Sequence, residues 1–111
     1  MTVLDIVKKL DLIVYSGNDG LNKPVSGGYV SDLLSDVMGN AQEGNIWITL
    51  QTHKNTMAIA SLKDLSAILL VKDFKPEADT IEQSNNEGIP ILGTSLKTFE
   101  IAGNLHKLIL E

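Results

Sequence analysis

Apolar residues in the second half of the chain come in three short runs, Ile46-Trp47-Ile48-Thr49-Leu50, Ala67-Ile68-Leu69-Leu70-Val71 and Ile89-Pro90-Ile91-Leu92. Between the runs they recur every three or four residues. Short apolar runs read as strands and the longer periodic stretches as helices, and their alternation is the layout of a parallel sheet with crossover helices. The middle run is apolar throughout, as expected of a strand covered on both faces. A helix over 55–65 would place Ala58, Ile59, Leu62 and Leu65 on one face. A second, over 76–87, carries Pro76 in its first turn and stops at Gly88; it is mostly polar and should face solvent.

The first half is shorter in its periods. Thr2 with Asp5 three residues on fits a capping box, and Leu4, Val7 and Leu10 continue at helical spacing, predicting a helix over 3–10. A strand follows at Leu12-Ile13-Val14-Tyr15. Gly17-Asn18-Asp19-Gly20 offers residues tolerant of positive φ and predicts a tight reversal into a second extended segment near 25–30. Pro24 holds Lys23 extended. The polar, glycine-punctuated stretch from Ser31 to Asn45 has room for one helical turn at Leu33 to Met38.

The last helix, about Ser95 to Leu110, is apolar over an unusually wide arc. Leu96, Phe99, Ala102 and Ile109 form one stripe, and Ile101, Leu105 and Leu108 an adjacent one. A helix of this kind is deeply buried or shared between the core and a partner.

Composition narrows the function classes. One chain of 111 residues with 43% hydrophobic residues fits a single globular domain over 1–111. No apolar run approaches the roughly 20 residues a membrane helix requires. The N-terminus lacks the pattern of a signal peptide, so a cytoplasmic protein is expected. Without cysteine the chain has no disulfide, thiolate nucleophile or cysteine-ligated metal. All nine cationic residues are lysines and the net charge is −5, which speaks against nucleic-acid binding.

Two segments carry a resemblance. Val25 to Gly39, containing Gly27-Gly28 before Tyr29-Val30-Ser31-Asp32-Leu33-Leu34, and Gly44 to His53, containing Ile46-Trp47-Ile48-Thr49, are together similar to the signature half of the DRTGG domain family. The order of elements is similar along essentially the whole chain. The resemblance implies a three-layer α/β/α single domain with a mixed, largely parallel sheet of about five strands, like the N-terminal domain of HPr kinase/phosphorylase and, more distantly, of the Mur ligases. It also implies a non-catalytic accessory role, because the family's founding members carry the domain beside CBS-type pyrophosphatase, phosphotransacetylase and cobyrinic-acid-synthase modules. The arginine of the family's name has no counterpart in Leu50-Gln51-Thr52-His53-Lys54-Asn55. The Gly-Lys-Ser or Gly-Lys-Thr string of a phosphate-cradling loop is likewise missing, so kinase chemistry is not implied.

Candidate chemistry concentrates where strands lead into helices, since helix N-termini present unpaired N–H groups to anions. Thr52, His53 and Asn55 occupy one such loop and Thr94 and Ser95 another; with the Gly27-Gly28 backbone they would line one crevice if their strands are neighbours. Each Ser, Thr or Asn also serves as an ordinary cap, and the two glycines serve either close packing or an anion-binding nest. His53 and His106 are too scattered for a metal site. Asp32 and Asp36 are spaced to share a helical face. No cofactor is expected. The expected function is a regulatory module that pairs as a homodimer through Tyr29, Leu33, Met38, Phe99, Leu105, His106 and Ile109. The alternatives are a sensor of an adenine nucleotide or phosphometabolite, a protein partner such as an enzyme, and, last, a free-standing enzyme.

Overall fold

The computed structural model describes residues 1–110, and its first turn is the predicted capping box. Thr2 Oγ1 accepts from the Asp5 N–H at 3.2 Å, while the Asp5 carboxylate accepts from the Thr2 N–H at 2.8 Å, starting α1 (Val3–Leu10). The chain continues through β1 (Ile13–Ser16), a 3-10 turn (Asn18–Gly20), β2 (Gly27–Val30), α2 (Leu34–Asn40), β3 (Asn45–Thr49) and α3 (Asn55–Leu62). It closes with β4 (Ala67–Leu70), α4 (Ala78–Glu87), β5 (Ile91–Gly93) and α5 (Thr98–Leu110).

The sheet order is β1-β5-β4-β3-β2, with β2 to β5 parallel and β1 antiparallel to β5. One apolar cluster joins α1 and α5 to Ile46, Ile48, Ala67, Leu69 and Leu92; the other joins α2 and α3 to Trp47, Ile68, Leu70 and Ile91. Because side chains of a strand alternate between faces, these two sets define the three layers. The expected α/β/α domain with a mixed five-stranded sheet is therefore present.

The reversal at Gly17 to Gly20 does not bring β1 and β2 together; they form opposite edges of the sheet. The chain after the turn pairs instead with the N-terminus. The Val3 and Leu4 N–H groups, left without partners inside α1, donate to the Lys23 and Leu21 carbonyls at 3.0 and 2.9 Å, and the Val25 N–H donates to Met1. This strap carries the chain beneath α1 to the far edge.

Two helix faces also differ from expectation. In α3 the buried residues are Thr56, Met57, Ile59 and Ala60, whereas Ala58 is exposed and Leu62 is 70% exposed. This helix is apolar on most of its circumference, so periodicity alone did not orient it. In α4 the polar face is not wholly in water: Thr80 and Ser84 are buried. Ser84 donates to the Ile89 carbonyl at 2.6 Å and accepts from Ser16 at 2.8 Å, and Thr80 donates to the Thr52 carbonyl at 2.8 Å. Small hydroxyl side chains satisfied by backbone let a polar helix lie close to the β1 edge.

Candidate functional site

The carboxyl ends of β3 and β5 are not adjacent, because β4 lies between them. Gly27 and Gly28 lie level with Asn45 and Ile46, at the other end of the sheet. The expected rim residues are thus divided among three places.

Around the β3–α3 loop, polar groups are committed to holding the loop itself. Asp32 Oδ1 accepts from Thr49 Oγ1 and the Leu50 N–H, each at 2.8 Å, and Gln51 Nε2 donates to the Asp32 carbonyl at 2.8 Å. The Thr52 carbonyl accepts from the Glu77 N–H and from Thr80. His53 Nδ1 lies 2.8 Å from Glu77 Oε2, with both side chains about half in solvent. Asn55 is exposed at the start of α3. Glu77 and Asp79 line the same shallow depression as His53, Lys54 and Asn55, and two carboxylates there disfavour an anion.

Neighbouring strands whose chains depart to opposite faces normally leave a crevice between them. Here those strands are β4 and β5, and the crevice is closed by backbone. The Lys72 N–H donates to Leu96 at 2.9 Å and the Asp73 N–H to Thr94 at 3.0 Å; both residues hold positive φ, 56° and 61°. Thr94 is buried, its hydroxyl accepting from the Leu96 N–H at 3.2 Å, and Ser95 is exposed.

Gly27 and Gly28 line a groove of about 250 Å³ between the edge strand β2 and α5, with Val30, Ile48, Ala102, Leu105, His106 and Ile109. Neither glycine has a positive φ. A Cβ on Gly28 would lie 3.1 Å from Leu105 Cδ2, so the missing side chain lets α5 approach the strand. This favours packing over a nest. The lining is apolar except for His106 and backbone, which suits an apolar group and not a phosphate.

The residues expected at an interface are divided as well. Phe99 is 91% exposed near the start of α5; His106, exposed, and Ile109, half-buried, line the groove, and Leu105, 2% exposed, forms its floor. Tyr29, Leu33 and Met38 belong with α2 on the opposite layer, where Leu33 is 64% exposed. Asp32 precedes α2 and so does not share a helical face with Asp36. Its loop-holding role was not read from the sequence, where the signal available was an acidic residue just ahead of a helix start.

Tyr29 donates its hydroxyl to Asp36 Oδ2 at 2.8 Å, and Asn40 Nδ2 donates to Asp36 Oδ1 at 3.0 Å. The Tyr29 bond, followed by those from Ser31 and Asn40, holds the Asp36 carboxyl below the ordinary 3.8, while the same bond raises the Tyr29 phenol above 10.0. The two contributions act at opposite ends of the pH range. A depressed carboxyl stabilises the fold above its unfolded pKa, and that contribution is lost as pH falls through the folded value. A raised phenol stabilises below its unfolded pKa and loses that effect as pH rises through the folded one. In a Tyr29→Phe variant the Asp36 titration, followed by carboxyl NMR, is expected to move up toward 3.8. An unmoved midpoint would show that Ser31 and Asn40 hold the charge by themselves.

Fold and site together define a three-layer α/β/α domain with an apolar groove against its free edge strand. The chain belongs to the DRTGG domain family, whose model matches residues 5–108. It is 24% identical to the HPr kinase/phosphorylase of Bacillus pumilus (strain SAFR-032), over 91% of this chain and 37% of that protein. Among solved structures it is similar to the CBS and DRTGG domains of the regulatory region of Clostridium perfringens pyrophosphatase, complexed with the activator diadenosine tetraphosphate. That likeness has a TM-score of 0.72 at 18% identity and covers 94% of this chain and 45% of the other. The chain therefore spans less than half the length of either. Among the described residues, no helix is long and apolar enough to cross a membrane.

Proposed function

We propose that this chain is a non-catalytic, cytoplasmic regulatory module that works as a homodimer. The observation that carries the reading is Phe99, an aromatic ring 91% in solvent on the same helix that walls an apolar groove further along its length. Exposed aromatic residues next to concave apolar surface are the usual anchors of protein contacts. Family membership supports the regulatory role, since the similar domain of the pyrophosphatase lies in a regulatory region. The likeness to HPr kinase/phosphorylase spans only 37% of that enzyme, so it supplies no argument for catalysis by this chain. Light scattering at micromolar concentration is expected to give twice the mass of one chain. A monomer up to 100 times that concentration would overturn the reading.

A second reading, a sensor of an adenine nucleotide or phosphometabolite, is favoured by the diadenosine tetraphosphate held by the pyrophosphatase structure. A thermal-shift series with adenine nucleotides and acyl phosphates separates the two. A ligand at a hundred times its dissociation constant adds about 2.7 kcal/mol to stability. The dimer reading expects no shift, and a saturable shift with any of these ligands would favour the sensor.

A further inference from the structure

The geometry points to a specific way in which two copies meet: antiparallel packing of α5 on α5, with Phe99 of each copy seated in the α5–β2 groove of the other. This rests on the homodimer reading above and adds its geometry.

Phe99, Gly103, His106 and Leu110 recur at spacings of four, three and four, which puts them on one stripe of the helix. All four are exposed, and the stripe faces away from the buried Ile101, Leu105 and Leu108. A heptad-like stripe on the outer side of a helix whose inner side already packs the core is a second seam. Ala102 and Gly103 supply small residues at its middle, and a Cβ on Gly103 would have nothing within 4 Å. A second helix can approach closely there.

The occupant follows from where the projection and the hollow lie. Phe99 sits near the start of α5, and the groove's α5 lining runs from Ala102 to Ile109. At 1.5 Å per residue Phe99 is about 10 Å from the middle of that lining along the axis. A two-fold axis crossing the helix near Gly103 and Asn104 sets each Phe99 level with the other copy's groove, so both projections are covered at once. An unrelated peptide could fill the groove but would leave Phe99 in water. Charge selects the antiparallel arrangement. Glu100 and Lys107 both occur on the flank away from β2, equally far from the proposed axis. Antiparallel packing keeps these flanks on one side and pairs Glu100 of one copy with Lys107 of the other, twice; parallel packing would carry the two flanks to opposite sides of the seam, where neither pair forms.

The chain has no cysteine, so Gly103→Cys introduces a single thiol almost on the proposed axis. Helices about 8–10 Å apart bring such positions within disulfide reach. Mild oxidation is expected to link the Gly103→Cys dimer covalently, without further rearrangement. By sedimentation, Phe99→Glu should weaken dimerisation about 100-fold while leaving the circular dichroism unchanged, as the ring touches little within its own chain. Glu100→Lys should also weaken it, and adding Lys107→Glu should restore it, an effect that a purely local helix role would not give. A dimer indifferent to Phe99→Glu, with no cross-link at position 103, would sink this geometry and leave self-association standing. A chain that stays monomeric at every concentration would sink both.

Discussion

Replacing Gly17 by alanine is expected to remove about 4 kcal/mol or more of stability, enough to unfold a marginal domain outright. Gly17 holds φ at +74°, and a Cβ built on it would lie 2.4 Å from the Ile89 carbonyl oxygen and 2.6 Å from the Pro90 Cα. The left-handed conformation alone costs a non-glycine residue about 1–2 kcal/mol. The overlap is with backbone, which cannot swing aside, and forced overpacking adds about 1–3 kcal/mol. Any retreat of the loop also breaks the 2.8 Å bond from the Gly17 N–H to Asn85 Oδ1, and a bond of that kind is worth about 1 kcal/mol. Urea titration followed by circular dichroism measures the loss. A decrease below about 1 kcal/mol would mean that the turn relaxes away from the β5 entry at little expense.

Trp47→Ala is expected to cost about 3–5 kcal/mol, through the cavity left by a large side chain. Trp47 is fully buried in β3, a strand whose five residues are all buried, and it packs against the α2 and α3 layer. Its Nε1–H donates to the Ser31 carbonyl at 2.8 Å, so the ring also ties down the turn between β2 and α2. Truncation orphans that carbonyl as well as emptying the site. Trp47→Phe separates the two effects, as it restores much of the volume but not the donor, and should fall between. Denaturation must be read by circular dichroism because this is the chain's one tryptophan. If Trp47→Phe matched wild type, the hydrogen bond would contribute nothing measurable.

Legibility in the sequence followed the range of the interactions. The bounds of β3 and β4 agree with the sequence within one residue because a short, dense apolar run, unbroken in β4, carries its own signal of double burial. The capping box at Thr2 and the stop at Gly88 are equally local, and Gly88 closes α4 in the left-handed region at φ 65°. The placing of β1 and β2 on opposite edges was not legible. It depends on backbone bonds between residues 1–4 and 21–25 and on pairing with β5, which no local pattern encodes. The rotation of α3 was lost for a different reason, since a helix with apolar residues on most sides gives no preferred face.

At the site, the sequence supplied members without their grouping. Gly27 and Gly28 stand out in the sequence as a glycine pair and Leu105, His106 and Ile109 as part of a wide helix face, and the fold brings them to one groove. Thr52, His53, Asn55, Thr94 and Ser95 would meet only if the sheet opened into a crevice as parallel sheets commonly do. The crossed backbone bonds between the loops after β4 and β5 close that crevice.

The pairing of β1 with β5 also governs how the chain matures during synthesis. Among the described residues, the strand at 13–16 pairs with the one at 91–93, and Gly17 and Gly20 rest against the chain at 88–90. β1 must therefore wait, unpaired, until the ribosome has made β5; loop closure over such a separation makes folding slow. A nascent chain stopped before residue 91 would present an uncovered β4 rim, the kind of edge on which chaperones act and aggregates begin.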